Sequence, residues 1–188
     1  MKRIVVLFSG EGTNLENIIK RLHGKKVLVT RAITNNPKAG GIERAKKHGV
    51  PVEVIDHRAF ESRQAFDAAL VEAIKKENPD LVVLAGFMRI LTPVFTTAIK
   101  NAINIHPSLL PCFKGARAIE RSFESGMKVA GVTVHWVSEE LDSGEIIDQE
   151  CFKRANESFE EFEAKIHQLE YALYPRVIER LLACEVEA

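Results

Sequence analysis

Short apolar runs alternate with stretches of helical spacing through the first 106 residues. Residues 4–8 and 81–85 are continuously apolar, which is typical of strands buried on both faces of a sheet. Between them, residues 62–77 carry apolar side chains three or four positions apart, as the core face of a helix does. The alternation predicts an α/β doubly wound fold, with a mostly parallel sheet and helices on both faces.

The last part of the chain departs from this alternation. Residues 129–138 and 145–152 read as two strands joined by the turn at 139–144, which predicts an antiparallel pair near the C-terminal part of the sheet. A long amphipathic helix should follow from Ser158. Its expected apolar side comprises Phe159, Phe162, Ile166, Leu169, Leu173, Val177 and Leu181. Without a linker, repeat or low-complexity tract, residues 1–188 are expected to form a single domain.

Charge and cysteine content narrow the functional classes. The 26 basic and 26 acidic side chains balance, so no field of one sign favours a nucleic acid or an anionic membrane as a partner. The N-terminal apolar run is too short for a signal core or a membrane span. Cys112, Cys151 and Cys184 are odd in number and widely spaced, which argues against a disulfide framework or a zinc site. We expect a cytoplasmic protein with free thiols.

The segment 103–111 carries the strongest chemical signal. Asn104 and His106 occupy alternate positions of an apolar strand that runs into a loop with two prolines, so their side chains lie on the same side. An amide donor beside a titratable imidazole suits a carbonyl whose oxygen becomes an oxyanion during acyl transfer. On the pattern alone, a buried strand end with a hydrogen-bonded Asn and a core His is the favoured interpretation.

The turn at 9–14 lies between the first strand and the first helix. Its glycines and the free N–H groups of the helix start suit an anion. No Lys-Ser/Thr follows, and Asn14, Leu15 and Glu16 stand where a GxGxxG loop needs its third glycine, so a nucleoside triphosphate or a dinucleotide is disfavoured. A phosphomonoester is the predicted ligand, with a plain tight βα turn as the alternative.

Other segments near the strand ends are less specific. The apolar segment 86–91 follows a central strand, where it could line a pocket and offer backbone amides to a flat heterocycle; a core loop is the alternative. Arg63 has the pattern of a surface charge. Residues 56–58 are expected to form a polar loop with a solvated His57. The glycine turn, the 86–91 segment and the Asn104/His106 pair should share one cleft, because all three follow carboxyl ends of strands.

Four stretches together carry a family resemblance: residues 9–15, 84–91, 103–111 and 140–144. With them the chain resembles the folate-dependent formyltransferases, and within that group the phosphoribosylglycinamide formyltransferase family. The resemblance implies a Rossmann-like formyltransferase fold. It also implies transfer of a formyl group from the co-substrate 10-formyltetrahydrofolate to the amine of 5-phosphoribosylglycinamide in purine biosynthesis. The implied partners are these small molecules, without metal, nucleic acid or membrane, and the chain would act as a monomer or homodimer.

The resemblance also implies roles for individual residues. The catalytic positions are Asn104, His106 and Asp142, of which Asp142 would orient the imidazole and favour its charged form. The positions matching the phosphoribosylglycinamide site are Gly12, Thr13, Asn14 and Glu170. The positions matching folate contacts are Arg63, Met88, Arg89, Ile90, Leu91, Asn104, Ser138, Glu139, Glu140, Leu141 and Asp142.

Some residues depart from the family pattern. Glu11 puts a negative charge near the proposed phosphate and is expected to point to solvent, and the loop 112–118 lacks the His-containing run of many members. His135 matches a histidine beside the active site, for which an accessory or packing role is expected. A hydrolase of the same folate, a formyltransferase acting on an aminoacyl-tRNA or amino sugar, and a non-enzymatic nucleotide-binding domain remain the alternative functions.

Overall fold

The architecture is built on one mixed sheet of seven strands. The computed structural model describes residues 1–183, so Cys184 lies outside the described residues; Cys112 and Cys151 are free thiols. The strands are β1 (Lys2–Phe8), β2 (Val27–Thr34), β3 (Val52–Val54), β4 (Leu81–Leu84), β5 (Ala102–His106), β6 (Val129–Trp136) and β7 (Ile146–Lys153). The helices are α1 (Thr13–Leu22), α2 (Gly41–Lys47), α3 (Arg63–Glu77), α4 (Pro93–Ala98), α5 (Ala118–Glu124) and α6 (Phe159–Ala183).

The sheet order is β3-β2-β1-β4-β5-β6-β7. The first five strands are parallel, whereas β6 runs antiparallel to both β5 and β7. This confirms the doubly wound fold and the antiparallel pair expected from the sequence. None of the helices within residues 1–183 has the length and apolarity needed to cross a membrane.

Alternate residues of the central strands feed two cores, one on each face of the sheet. In β1, Ile4, Val6 and Phe8 pack with α1 and α6, while Val5 and Leu7 pack with α3 and α4. Burial of both faces explains why this strand is continuously apolar rather than alternating. In β5, Ile103 and Ile105 belong to the α6 side, which leaves Asn104 and His106 on the face of α3 and α4.

Helix α6 buries a wider surface than the sequence pattern predicted. Phe162, Ile166, Leu173 and Val177 are buried as expected, and so are Tyr174, Ile178 and Leu182. The expected Phe159, Leu169 and Leu181 are only partly buried. The difference arises because a helix lying along a sheet contacts it over neighbouring i, i+1 positions of each turn, whereas the prediction followed a single narrow stripe.

One local expectation is wrong in detail. Residues His57–Ala59 form a short 3-10 turn, and His57 is half-buried with its Nδ1 3.2 Å from both the side-chain nitrogen and the carbonyl oxygen of Asn35. This contact, distant in sequence, keeps the imidazole from being fully solvated. Thr92 is the N-cap residue of α4, and its hydroxyl donates to Asp67 Oδ2 at 2.7 Å.

Tyr174 anchors α6 to the strands that carry the polar site. Its hydroxyl is fully buried and lies 2.6 Å from the carbonyl oxygen of Leu84 and 3.2 Å from that of Ile103. Replacement by Phe removes the donor from a site that water does not reach. We therefore expect Tyr174→Phe to lower the free energy of unfolding by about 1–2 kcal/mol, measured by urea denaturation. The same change at half-buried Tyr171 is the control, and equal losses in both variants would contradict the anchor.

Candidate active site

The carboxyl end of β5 places an amide, two imidazoles and a carboxylate close together. Asn104 is directly opposite His135 in the antiparallel pairing of β5 with β6, and its Nδ2 lies 3.3 Å from His135 Nε2. The turn after β6 brings Asp142 to this pair, with its Oδ2 3.5 Å from His106 Nδ1 and its Oδ1 3.8 Å from His135 Nε2. The three predicted catalytic residues thus meet at one place.

Asp142 is held by the loop that follows β5. Its Oδ2 accepts a hydrogen bond of 2.8 Å from the backbone N–H of Gly115, and the residue itself adopts a left-handed conformation with φ 53°. The Lys114 ammonium donates to the Ser143 hydroxyl at 2.7 Å. These contacts tie the loop 112–118 to the turn 138–144, and the Asp142 side chain is only 5% exposed.

His106 is buried behind this loop, with each ring nitrogen facing a protein partner. Its Nε2 lies 2.8 Å from the carbonyl oxygen of Phe113, and the residue is 6% exposed. A carbonyl oxygen only accepts, so Nε2 carries a proton. Nδ1 faces the carboxylate of Asp142.

The loop after His106 is fixed by Thr133, the residue opposite His106 on β6. The Thr133 hydroxyl donates to the carbonyl of Ser108 at 2.7 Å and accepts from the N–H of Leu110 at 3.0 Å. Leu109 packs on Gly131, where a Cβ would lie 2.8 Å from its methyl carbon and 2.0 Å from the carbonyl oxygen of Glu150. The peptide bond between Leu110 and Pro111 is cis.

A cleft lies beside Asn104 on the α3 and α4 face. Its apolar walls come from Phe87, Leu91 and Val137 among others. The complete lining is Leu84, Phe87, Arg89, Ile90, Leu91, Asn104, His135, Val137, Ser138, Glu139, Glu140, Leu141 and Asp142. The structure thus brings together most of the positions predicted to contact a folate.

Two predicted folate positions lie away from the wall of this cleft. Arg63 begins α3 with its side chain exposed, and Met88 is 78% exposed. The backbone N–H of Met88 is already engaged, because it donates to the Ser9 hydroxyl at 2.8 Å. The role predicted for Arg63 and the backbone contact predicted at Met88 stay predictions. His106 likewise reaches the cleft only through Asp142.

A second polar group forms where the glycine turn meets α6. Helix α1 begins at Thr13 after Gly12, whose φ of 73° and close approach to Gly41 exclude a side chain. Asn14 Nδ2 donates to the buried Glu170 carboxylate at 3.0 Å, while Asn14 Oδ1 is buried without a hydrogen-bond partner. Glu11 is exposed, as expected, with its carboxylate against Gly40.

Sequence reasoning missed His167. Its Nδ1 lies 3.2 Å from Glu170 Oε2, and this hydrogen bond raises the pKa of His167 above its ordinary value. The i, i+3 spacing of a histidine and a glutamate on one helix face was the available signal. The shift favours the charged form of His167, which Glu170 joins to Asn14 of the turn proposed to bind phosphate.

Sequence reasoning also missed the function of Ser9, which joins the glycine turn to the 86–91 segment. Its N–H donates to the Gly86 carbonyl at 3.0 Å, and its hydroxyl accepts from Met88 N–H and donates to Asn35 Oδ1 at 2.5 Å. The far end of the segment is held separately, because Asp67 accepts from the Thr92 N–H at 2.6 Å.

The fold and the polar group at the end of β5 define a class of protein: an α/β enzyme with a transferase-type site at the carboxyl ends of its strands. A model of the formyl transferase family matches residues 2–178. The phosphoribosylglycinamide formyltransferase of Bacillus subtilis is 38% identical over 186 residues, which are 97% of this chain and 95% of that protein. The chain belongs to the formyl transferase family.

Two further comparisons agree. The crystal structure of phosphoribosylglycinamide formyltransferase from Campylobacter jejuni has a TM-score of 0.94 and 54% identity, covering 96% of this chain and 97% of that one. The trifunctional purine biosynthetic protein adenosine-3 of Bos taurus is 37% identical over 181 residues, which are 94% of this chain and 18% of that protein.

The link through Ser9 predicts a local change in hydrogen exchange. In Ser9→Ala the Met88 N–H loses its acceptor, so its exchange should accelerate about tenfold, the effect of losing one hydrogen bond of ~1.4 kcal/mol. The Thr92 N–H, which directly follows the 86–91 segment and donates to Asp67, is the internal control. An unchanged Met88 rate, measured by amide exchange NMR, would contradict the link.

Proposed function

We propose that this chain transfers a formyl group from 10-formyltetrahydrofolate to the amino group of 5-phosphoribosylglycinamide. The observation that carries the proposal is the meeting of Asn104, His106 and Asp142 beside an apolar cleft. The printed names of the full-length relatives support the same reaction. We further propose that residues 1–188 act as one formyltransferase domain.

The donor fits the cleft beside Asn104. The flat ring system of a folate would pack between the apolar side chains of Phe87, Leu91 and Val137, since such walls favour a heterocycle whose edge is read by a few polar groups. The polar groups available there are the Arg89 guanidinium and the turn 138–142. The formyl group on N10 would then lie near Asn104 and Asp142.

The acceptor fits the glycine turn. The first N–H groups of α1, which follow Gly12, would bind the phosphate of the ribonucleotide, helped by Thr13 and Asn14. Glu170 is buried between Asn14 and His167 and would accept hydrogen bonds from the glycinamide or the ribose. Ser9 joins this turn to the donor segment, which supports binding of both substrates along one edge of the sheet.

The proposed reaction is an acyl transfer between two nitrogens. The neutral amine of the acceptor attacks the formyl carbon, so a C–N bond forms and the carbonyl electron pair moves to oxygen. The Asn104 amide would donate to this oxyanion, and the positive charge of protonated His106 would stabilise it. As it collapses, the bond from carbon to N10 breaks and a proton passes from the former amine to N10. The products are tetrahydrofolate and the formylated ribonucleotide.

Asp142 would support this chemistry through His106. Its carboxylate faces Nδ1 of the imidazole at 3.5 Å, and a negative charge at that distance would favour the protonated ring. The N–H of Gly115 donates to the same oxygen, which holds the carboxylate in place.

Dependence on the acceptor tests the function directly. Conversion of 10-formyltetrahydrofolate to tetrahydrofolate, followed by absorbance, should require 5-phosphoribosylglycinamide. In His106→Ala it should fall by about 100-fold or more, because the oxyanion loses the positive charge of the imidazole. His23→Ala, a histidine at the opposite end of the strands, is the matched control. Conversion without the ribonucleotide would instead favour the hydrolase, and no conversion in either condition would favour a different acceptor or a binding protein.

The role of Asp142 predicts a pH effect. In Asp142→Asn the neutral amide no longer stabilises the protonated imidazole, so kcat at neutral pH should drop by about 100-fold and the pH profile should change shape. Asp148→Asn, which removes an exposed partner of Arg180, is the control. Equal activity and an identical profile from pH 6 to 9 in both variants would refute the role.

A further inference from the structure

We propose that His135 is a positioning residue: as a neutral imidazole protonated on Nδ1, it orients the Asn104 amide so that this amide can donate to the formyl oxygen. The inference deepens the proposed function and depends on it for the identity of the substrate. The orientation itself follows from contacts among three residues of the protein, Trp136, His135 and Asn104, and it can be measured without substrate.

The first step concerns the proton on His135. Its Nδ1 lies 2.9 Å from the carbonyl oxygen of Trp136, and a carbonyl oxygen can only accept. Nδ1 therefore carries a hydrogen. A neutral imidazole has one donor and one acceptor nitrogen, so Nε2 presents a lone pair.

The second step carries this assignment to Asn104. The amide nitrogen of Asn104 lies 3.3 Å from His135 Nε2. The lone pair of this Nε2 can accept a hydrogen bond from the amide N–H but not from the amide oxygen. The reversed amide would set Oδ1 against that lone pair and lose the hydrogen bond. His135 thus selects one of the two amide orientations. The second N–H of the amide remains available to an acceptor in the cleft, which Asn104 lines.

The backbone holds both partners in place. Asn104 and His135 are directly opposite in the antiparallel ladder, where side chains on the same face lie in contact. The Trp136 carbonyl is itself packed against Gly144, where a Cβ would lie 1.7 Å from this oxygen. Only a glycine at 144 lets the turn close without displacing the acceptor that sets the tautomer.

The surroundings keep His135 neutral. The ring is 3% exposed, and burial lowers its pKa below the ordinary 6.5, although the Trp136 carbonyl and Asp142 act in the opposite direction. The charged or titratable groups that face it are Asp142 and His106. Protonation would place an N–H against the Asn104 amide and draw Asp142 Oδ1, now 3.8 Å away, towards His135. With His135 neutral, the Asp142 carboxylate pairs with the His106 imidazole instead.

The tautomer is measured on the wild-type protein. In ¹⁵N-labelled protein at pH 7, the imidazole nitrogen shifts of His135 should show a neutral ring protonated on Nδ1, in keeping with its lowered pKa. His135→Gln identifies the signals. A ring protonated on Nε2, or a ring that is doubly protonated at pH 7, would overturn the proposal. This readout stands even if the ribonucleotide proves not to be the acceptor.

The action through Asn104 is tested by a double-mutant cycle. In His135→Leu, a side chain of similar volume replaces the imidazole but cannot accept a hydrogen bond. This variant should lower kcat about tenfold to 100-fold, while the KM for 5-phosphoribosylglycinamide stays within about twofold. In His135→Gln the side-chain oxygen can accept from Asn104, so part of the activity should return. In an Asn104→Ala background, His135→Leu should lower kcat by less than about a further twofold, because the amide that His135 orients is absent.

The outcomes separate positioning from packing and from failure of the proposed function. Losses that multiply in the double variant, or a Gln variant no better than Leu, would show that His135 does not act through Asn104. If His135→Leu does not fold, judged by circular dichroism, the Gln variant and the wild-type tautomer decide. If wild-type protein shows no ribonucleotide-dependent conversion, the proposed function fails, while the tautomer measurement still tests the orientation.

Discussion

The antiparallel pairing of β5 with β6 is the interaction on which the site depends. It adds a reversed strand to a parallel sheet, so β6 ends beside Ile103 and the following turn folds back to bring Asp142 to His106. The same register sets His135 opposite Asn104 and Thr133 opposite His106. Without this pairing, His135 and Asp142 would not lie beside Asn104 and His106.

Asp142 links the segments that this pairing brings together. It accepts from the backbone of Gly115, faces His106 with one oxygen and lies near His135 with the other. A single buried carboxylate thus joins the loop after β5 to the turn after β6. Its two oxygens face two imidazoles, and with His135 neutral the carboxylate pairs with His106.

The fold was largely predictable because it depends on local pattern. Continuous apolar runs identify strands buried on both faces, as in β1. Alternation within β5 predicts that Asn104 and His106 lie on the same side of the strand. The meeting of these residues with Asp142 rested on the family resemblance, since an Asp in a Leu-Asp-Ser-Gly turn has an ordinary structural role as well. The role of Ser9 was not predictable, because its partners Gly86 and Met88 are distant in sequence.

The sequence by itself determined the strands, the helices and the chemical groups that the strand ends offer. Hydrophobic periodicity and turn residues act over a few positions, so they can be read from the chain alone. Tertiary structure decided which groups touch. The tautomer of His135 follows from a backbone carbonyl, the direction of the Asn104 amide follows from that tautomer, and the burial of His106 follows from Phe113. Each is a contact made in space by strand register and loop closure, which no local pattern encodes.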